Sequence, residues 1–194
     1  MELVPVFWGD NKNDMEAFYE HITNLYPQLT VGDKIYAKPS HTPSESIKSW
    51  AKEINTYLNS KIVGVTTVNL SGKEINKQFD SLAVTYIAGF NIGSLIVINE
   101  GVLYSPDKDI FNSRKTKVGM HELLENLLTR NGHRHAHHLI THYILDGRPS
   151  TCVNDQNPMA LFKGLSLAEA TKELYDYAID RYCKSCESKL LSLI

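Results

Sequence analysis

The order of strand-like and helix-like segments in the first hundred residues places the strongest limit on how this chain can fold. Apolar or β-branched runs predict strands over Glu2–Trp8, 29–36, 61–70, 82–87 and 95–98. Amphipathic helices separate the first three of these strands. The order strand–helix–strand–helix–strand–strand–strand predicts an α/β fold in which helices pack on a mixed twisted sheet.

Two helix starts precede residue 60. Asn13 followed by Glu16 begins the first helix. Thr42-Pro43-Ser44-Glu45 is the stronger signal, because it supplies an N-cap, a proline at the first helical position and a glutamate at the third. The apolar residues that recur at helical spacing after these starts are Met15, Phe18, Tyr19, Ile22 and Leu25, and then Ile47, Trp50, Ala51, Ile54 and Leu58.

Composition narrows the class of protein. A chain of 194 residues, 42% hydrophobic and 22% charged, suits one globular domain or one domain with a small appendage. A net charge of −2 disfavours binding to nucleic-acid phosphates. Segment 82–98 is apolar but is broken by Gly89, Gly93 and polar residues, and the first residues show no secretory signal. We therefore expect a cytoplasmic protein with no nucleic-acid or membrane partner.

A predicted helix over 114–130, ending at Asn131-Gly132, carries the residues best suited to metal chemistry. His121 and Glu125 lie about 40° apart on one helical face and can hold one metal ion between them. Glu122 points to one side, where it can take a proton from water. A third ligand must come from beyond the helix, where the chain offers His133, His135, His137, His138 and His142.

Other interpretations of this segment stay open. A His-Glu pair on a leucine-rich helix often arises by chance. Glu125 could then pair with Arg130 or Lys117 on a solvated face. The histidine cluster could be merely exposed, or could bind metal adventitiously.

The three cysteines suggest a second metal site. Cys183 and Cys186 form a Cys-x-x-Cys near the end of the chain, and Cys152 lies upstream. An odd cysteine number favours reduced thiols, and this spacing is typical of half a structural zinc site, with a histidine from 133–142 as fourth ligand. The alternatives are two unrelated thiols on a C-terminal helix, or a redox pair. Ser166 and Glu169 form a capping box that predicts a last helix before these cysteines.

Taken together, these motifs resemble those of the archaemetzincins, whose signature runs His-Glu-x-x-His-x-x-Gly-x-x-His-Cys, then Cys-x-Met, then Cys-x-x-Cys. His121-Glu122 matches its start, Gly132 to His135 matches Gly-x-x-His, and Tyr182 to Cys186 with Lys189-Leu190 resembles its end. Segments 61–66 and 82–98 resemble the family's central strands. Arg114 and Lys117 stand where the family has basic residues. The resemblance extends from about residue 60 onward and more loosely includes the opening strand.

The chain departs from that signature at several positions. Glu125 replaces the second histidine, and four extra residues separate it from Gly132. Ala136 stands where the family has a cysteine, so a nearby histidine such as His138 would have to replace that thiol. Cys152 is not followed by the expected methionine, and Met159 is the candidate for the methionine turn beneath the metal.

The resemblance implies a zincin-like active-site helix in residues 1–131 and a small zinc-stabilised C-terminal part in residues 132–194. It implies one catalytic and one structural zinc, and peptide hydrolysis by water at the catalytic metal. The edge strand would pair with an extended peptide or protein substrate. The implied roles are Glu122 as base, His121, Glu125 and His135 as catalytic ligands, and His138, Cys152, Cys183 and Cys186 as structural ligands.

Three functions are compatible with these residues. The first is a divergent zinc metallopeptidase. The second is a pseudo-peptidase that keeps structural zinc and binds a partner. The third is a metal sensor or carrier built on the histidine cluster. Metal content distinguishes these functions. The metallopeptidase would bind two ions, the pseudo-peptidase one, and the sensor or carrier more than two.

Overall fold

A mixed sheet lies at the centre of the structure. The structure, a computed structural model, describes residues 1–59, 61–78, 88–132, 169, 172–173, 175–176 and 180–194. Its strands are β1 (Glu2–Trp8), β2 (Thr30–Val31), β3 (Ile35–Ala37), β4 (Ile62–Val68), β5 (Gly89–Ile92) and β6 (Leu95–Asn99). Their order is β2-β1-β4-β6-β5, and β3 pairs with the last residues of β1. The β5–β6 pair is antiparallel and the others are parallel, which confirms the predicted mixed sheet.

Helices cover both faces of this sheet. They are α1 (Glu16–Leu25), α2 (Pro43–Asn55), α3 (Gly72–Gln78), α4 (Glu100–Leu103), α5 (Lys108–Arg130) and α6 (Lys184–Leu193). Helices α1, α5 and α6 share the main core with Leu3, Val65 and Ile98. Helices α2 and α3 share the second core with Val6 and Val97. Successive strand residues thus point into different cores, and all seven residues of β4 are buried, as expected for a strand covered on both faces.

The strands differ from prediction in two places. Segment 29–36 forms two short strands, β2 and β3, instead of one, and both pair with β1. Between the predicted strands 82–87 and 95–98 the sequence predicts only a bend. This segment forms β5, and the chain turns from β5 into β6 at Gly93, which has a φ of 61°. A left-handed residue at a two-residue turn suits an antiparallel hairpin. The predicted strand 82–87 lies outside the described residues.

The helices confirm the strong local signals. Helix α2 begins as predicted, with the Glu45 carboxylate accepting the Thr42 N–H at 2.9 Å. Helix α5 ends as predicted at Asn131-Gly132, with Gly132 at a φ of 74°. It starts six residues earlier than predicted, because the Asp107 side chain caps the free N–H groups of Asp109 and Ile110.

Two short helices were not predicted. Helix α3 is too polar to show an apolar stripe, although Ser71 and Glu74 form a local cap, with the Glu74 carboxylate accepting the Ser71 N–H at 2.8 Å. Helix α4 is only four residues long. No helix in the described part of the chain is long and apolar enough to cross a membrane.

Candidate metal centre

Helix α5 buries the three residues that the sequence assigns to metal chemistry. His121, Glu122 and Glu125 are 3%, 6% and 4% exposed. Burial is unbroken from Lys115 to Leu128, because α5 lies between the sheet and residues near the C-terminus. The structure therefore contradicts the alternative in which Glu125 pairs on a solvated face.

Glu122 faces β5, the last strand in the order of the described strands. The Asn91 side-chain amide on β5 donates a hydrogen bond to Glu122 Oε2. Asn126, one turn after Glu122, donates to Asn91 Oδ1 at 3.1 Å and to the Gly93 carbonyl at 3.0 Å. Asn91 therefore orients the carboxyl group, and Asn126 holds the Asn91 side chain in place from the helix.

Gly89 allows β5 to lie this close to α5. A Cβ atom at Gly89 would lie 2.7 Å from Val118 Cγ1 and 2.9 Å from Glu122 Cγ. Both distances are shorter than any ordinary carbon–carbon contact. A glycine at this position is thus required for the strand backbone to reach the Glu122 side chain.

The surroundings of Glu122 favour its neutral form. Burial raises the pKa of the Glu122 carboxyl well above its ordinary value, and the negative charge of Glu125 raises it further. Burial also raises the pKa of the Tyr175 hydroxyl, with smaller contributions from Glu122 and Glu125. A carboxylate shifted in this direction is a stronger base toward water than an ordinary glutamate.

Residues near the C-terminus are fastened to the same helix. Arg114 binds Asp176 through two hydrogen bonds, from Nε to Oδ1 at 2.7 Å and from the terminal nitrogen to Oδ2 at 2.5 Å. Lys117 Nζ donates to the Tyr175 carbonyl at 2.8 Å, and the Tyr182 hydroxyl donates to the carbonyl of Met120. Two basic residues singled out in the sequence thus hold the segment that contains Tyr175.

The cysteine pair lies at the start of α6. Cys183 is the N-cap and is partly exposed, and Cys186 is fully buried in the main core. Their proposed zinc partners Cys152 and His138 lie outside the described residues. His135 and Met159 also lie outside them, as do His133, His137 and His142.

The donor set of α5 fits two of the three protein ligands of a catalytic zinc. One imidazole and one carboxylate, one helical turn apart, are ordinary zinc ligands. No group of three His, Cys, Asp or Glu side chains suited to a metal occurs among the residues with described positions. A metal held by this pair would need a third donor from elsewhere in the chain, and the sequence predicts His135 for that position.

Sequence reasoning missed four residues around Glu122. In the sequence, Gly89 indicates only a break in an apolar segment, and Asn91 is only a polar residue within it. Asn126 follows Glu122 by four residues, a spacing that places both on one helical face. Tyr175 carried no signal, because its role comes from packing between elements far apart in the chain.

Comparison with known proteins identifies the architecture. No family model and no curated protein matches the chain. Among solved structures, it is similar to archaemetzincin from Methanopyrus kandleri (18% identity, TM-score 0.54, 99% of this chain and 94% of that chain). It is also similar to archaemetzincin from Archaeoglobus fulgidus in complex with malonate (16%, 0.55, 97% and 99%). A zinc-dependent peptidase from Methanocorpusculum labreanum is a further match (12%, 0.52, 96% and 99%). The described part of the chain therefore has the α/β fold of the archaemetzincin structures.

Proposed function

We propose that this protein is an archaemetzincin-like zinc metallopeptidase in which a glutamate replaces the second histidine ligand. His121, Glu125 and His135 hold the catalytic zinc, and Cys183, Cys186, Cys152 and His138 hold a structural zinc. The peptidase neighbours and the buried His121/Glu125 pair support this assignment. The observation that carries it is the Glu122 carboxyl, which is buried beside that pair, bound by Asn91 and raised in pKa.

The protein residues divide the chemistry of hydrolysis. Bound zinc would supply a Lewis acid that polarises the scissile carbonyl and makes water acidic. Glu122 takes the proton from the attacking water and returns it to the leaving amine. Asn91 and Asn126 keep the Glu122 carboxyl in one orientation. Burial and the charges of Glu122 and Glu125 raise the pKa of the Tyr175 hydroxyl, so this hydroxyl keeps its proton.

The substrate is proposed to be an extended peptide. β5 is the last strand in the observed sheet order, and its residues Gly89 and Asn91 adjoin Glu122. A strand in this position can bind a peptide backbone by adding it to the sheet. The odd number of cysteines, which favours reduced thiols, supports a cytoplasmic location.

Glu125 also alters the metal. A carboxylate in place of an imidazole adds negative charge, which lowers Lewis acidity and raises the pKa of water at the metal. We expect a slower enzyme than a three-histidine site would give, or one that prefers a harder metal than zinc.

One experiment tests both the metal and the base. Zinc content and cleavage of a peptide library are measured for the wild type and for Glu122→Gln and Glu125→Ala variants. We expect two zinc ions in the wild type and in Glu122→Gln, with activity in Glu122→Gln reduced by about 100-fold or more. Glu125→Ala should lose one zinc and all activity. Glu100→Gln is the matched control, because burial also raises the pKa of Glu100 but it lies beside Lys115.

A pseudo-peptidase is the second candidate, favoured by the glutamate at the second ligand position and the four extra residues before Gly132. It predicts one zinc in the wild type, which is lost only on substitution of Cys183 or Cys186.

Undiminished cleavage by Glu122→Gln would rule out Glu122 as the base.

A further inference from the structure

The turn between β5 and β6 is held from both faces of the sheet. Asn55, the last residue of α2, binds the turn from one face, and Asn126 on α5 binds it from the other. Helix α2 packs in the second core and α5 packs in the main core. The turn is therefore the point at which side chains from both covering helices meet the end of β5.

Asn55 binds the residues on both sides of Gly93. Its side-chain amide donates to the Ile92 carbonyl at 2.7 Å, and its Oδ1 atom accepts the Ser94 N–H at 2.9 Å. The same amide donates to the Ala51 carbonyl at 2.8 Å, one turn earlier in α2. Both amide hydrogens and the oxygen are thus used, which fixes the orientation of the Asn55 side chain.

Gly93 allows the turn backbone to lie directly on this side chain. A Cβ atom at Gly93 would lie 2.8 Å from Asn55 Oδ1 and 3.2 Å from Asn55 Cγ. The φ of 61° at Gly93 also lies in the left-handed region that favours glycine. The close contact and the turn conformation therefore require the same residue.

Asn126 links this turn to the candidate site. Its side-chain amide donates to the Gly93 carbonyl at 3.0 Å and to Asn91 Oδ1 at 3.1 Å. One hydrogen thus binds the turn, and the other binds the residue that orients Glu122. The successive carbonyls of Ile92 and Gly93 are held by different helices, so the end of β5 is fixed relative to both.

The register of β5 shows which of its backbone groups point away from β6. The Asn99 N–H on β6 donates to the Ala88 carbonyl at 2.7 Å, which makes these residues a hydrogen-bonded pair. Along an antiparallel strand, bonded and non-bonded pairs alternate. The backbone groups of Gly89 and Asn91 therefore point away from β6. These two residues also adjoin Glu122.

We propose that Asn55 is a positioning residue for peptide binding at β5. By holding the turn, it keeps the backbone groups of Gly89 and Asn91 where an extended peptide can bond to them. This inference rests on the proposed peptidase function. It gives Asn55 a role in binding and none in proton transfer, because the bond between Asn91 and Glu122 does not involve Asn55.

Steady-state kinetics of Asn55→Ala separate binding from catalysis, with the library peptide that the wild type cleaves fastest as substrate. We expect KM to rise about five- to ten-fold, because the turn loses two hydrogen bonds and the strand end becomes less ordered. The value of kcat should stay within about two-fold of wild type, as for a change that affects binding alone. The acidic limb of the pH–activity profile should not move.

Gln78→Ala is the control for a loss of stability alone. Gln78 binds the other end of α2, where its amide oxygen accepts the Ile47 N–H at 2.5 Å and its nitrogen donates to the Pro43 carbonyl at 2.6 Å. This variant should unfold more easily in urea but keep the wild-type KM. An unchanged KM in Asn55→Ala, or an equal rise in both variants, would overturn the proposal.

Amide hydrogen exchange tests the turn without a substrate. In Asn55→Ala the Ser94 amide loses its acceptor, so it should exchange about ten-fold faster or more, whereas Gln78→Ala should leave it unchanged. Unchanged exchange at Ser94 in Asn55→Ala would overturn the role of Asn55 and leave the peptidase assignment in place. A wild type that cleaves no peptide would instead contradict the proposed function, whatever the exchange at Ser94.

Discussion

Asn91 donates a hydrogen bond to the Glu122 carboxyl, whose pKa is raised by its other surroundings. Burial and Glu125 both oppose the charged form of Glu122, while the Asn91 amide favours it. The pKa of the proposed base is thus a balance between one favourable contact and two unfavourable ones. Because Asn126 in turn binds Asn91, the balance depends on the geometry of both asparagines.

Removing that contact should change the pH dependence of catalysis. In Asn91→Ala, the charged form of Glu122 loses a donor, so its pKa rises further and the base becomes deprotonated only at higher pH. We expect the acidic limb of the pH–activity profile to move up by about one to two pH units. Asn55→Ala is the matched control, because Asn55 donates to the Ile92 carbonyl on the same strand at 2.7 Å. An unmoved acidic limb in Asn91→Ala would show that the contact does not set this pKa.

The candidate site depends on how two elements pack, because β5 lies close enough to α5 for its residues to contact Glu122. Local signals predicted α2 and the end of α5, because caps and glycine stops act within a few residues. A local motif, two possible metal ligands four residues apart with a glutamate beside the first, singled out His121, Glu122 and Glu125. Local signals could not predict that Gly89 and Asn91 reach Glu122, because that contact joins elements about thirty residues apart. The third zinc ligand stays a prediction.

Gly89→Ala should separate the strand from the helix. The added methyl group overlaps Val118 and Glu122, so we expect the free energy of unfolding to fall by about 1–3 kcal/mol and peptide cleavage to weaken. The double variant Gly89→Ala/Val118→Ala removes the nearer overlapping group. It should therefore lose less stability than the two single changes added together, as measured by urea unfolding. Strictly additive losses would mean that the two positions do not interact.

At the scale of the whole molecule, the C-terminal residues complete the core that α1 and α5 begin. Tyr175, Tyr182, Cys186 and Leu190 are all buried in the main core. Tyr26 on α1 packs against Tyr182, with ring centres 6.1 Å apart. The predicted division at residue 131 is untested as a domain boundary, but these contacts place residues from both sides of it in one core.

The Arg114–Asp176 pair should contribute measurably to the stability of this packing between α5 and the C-terminal residues. A bidentate pair whose arginine is largely buried is stronger than an ordinary surface pair, although Asp176 is partly exposed. A double-mutant cycle with Arg114→Met and Asp176→Asn should give a coupling of about 1 kcal/mol that falls at high salt. His21 and Asp180, 3.9 Å apart and more exposed, form the control pair with coupling near zero. Equal coupling in both pairs would contradict this expectation.

The central position of β1 has a consequence for how the chain folds. This strand pairs with β2, β3 and β4, and its partner Val65 follows Pro5 by about sixty residues. Parallel pairing over such separations gives a high contact order and slow folding, because loop closure precedes the gain from contact. While the ribosome is still making the chain, one edge of β1 stays unpaired until β4 has emerged, so this early strand is the segment most in need of a chaperone.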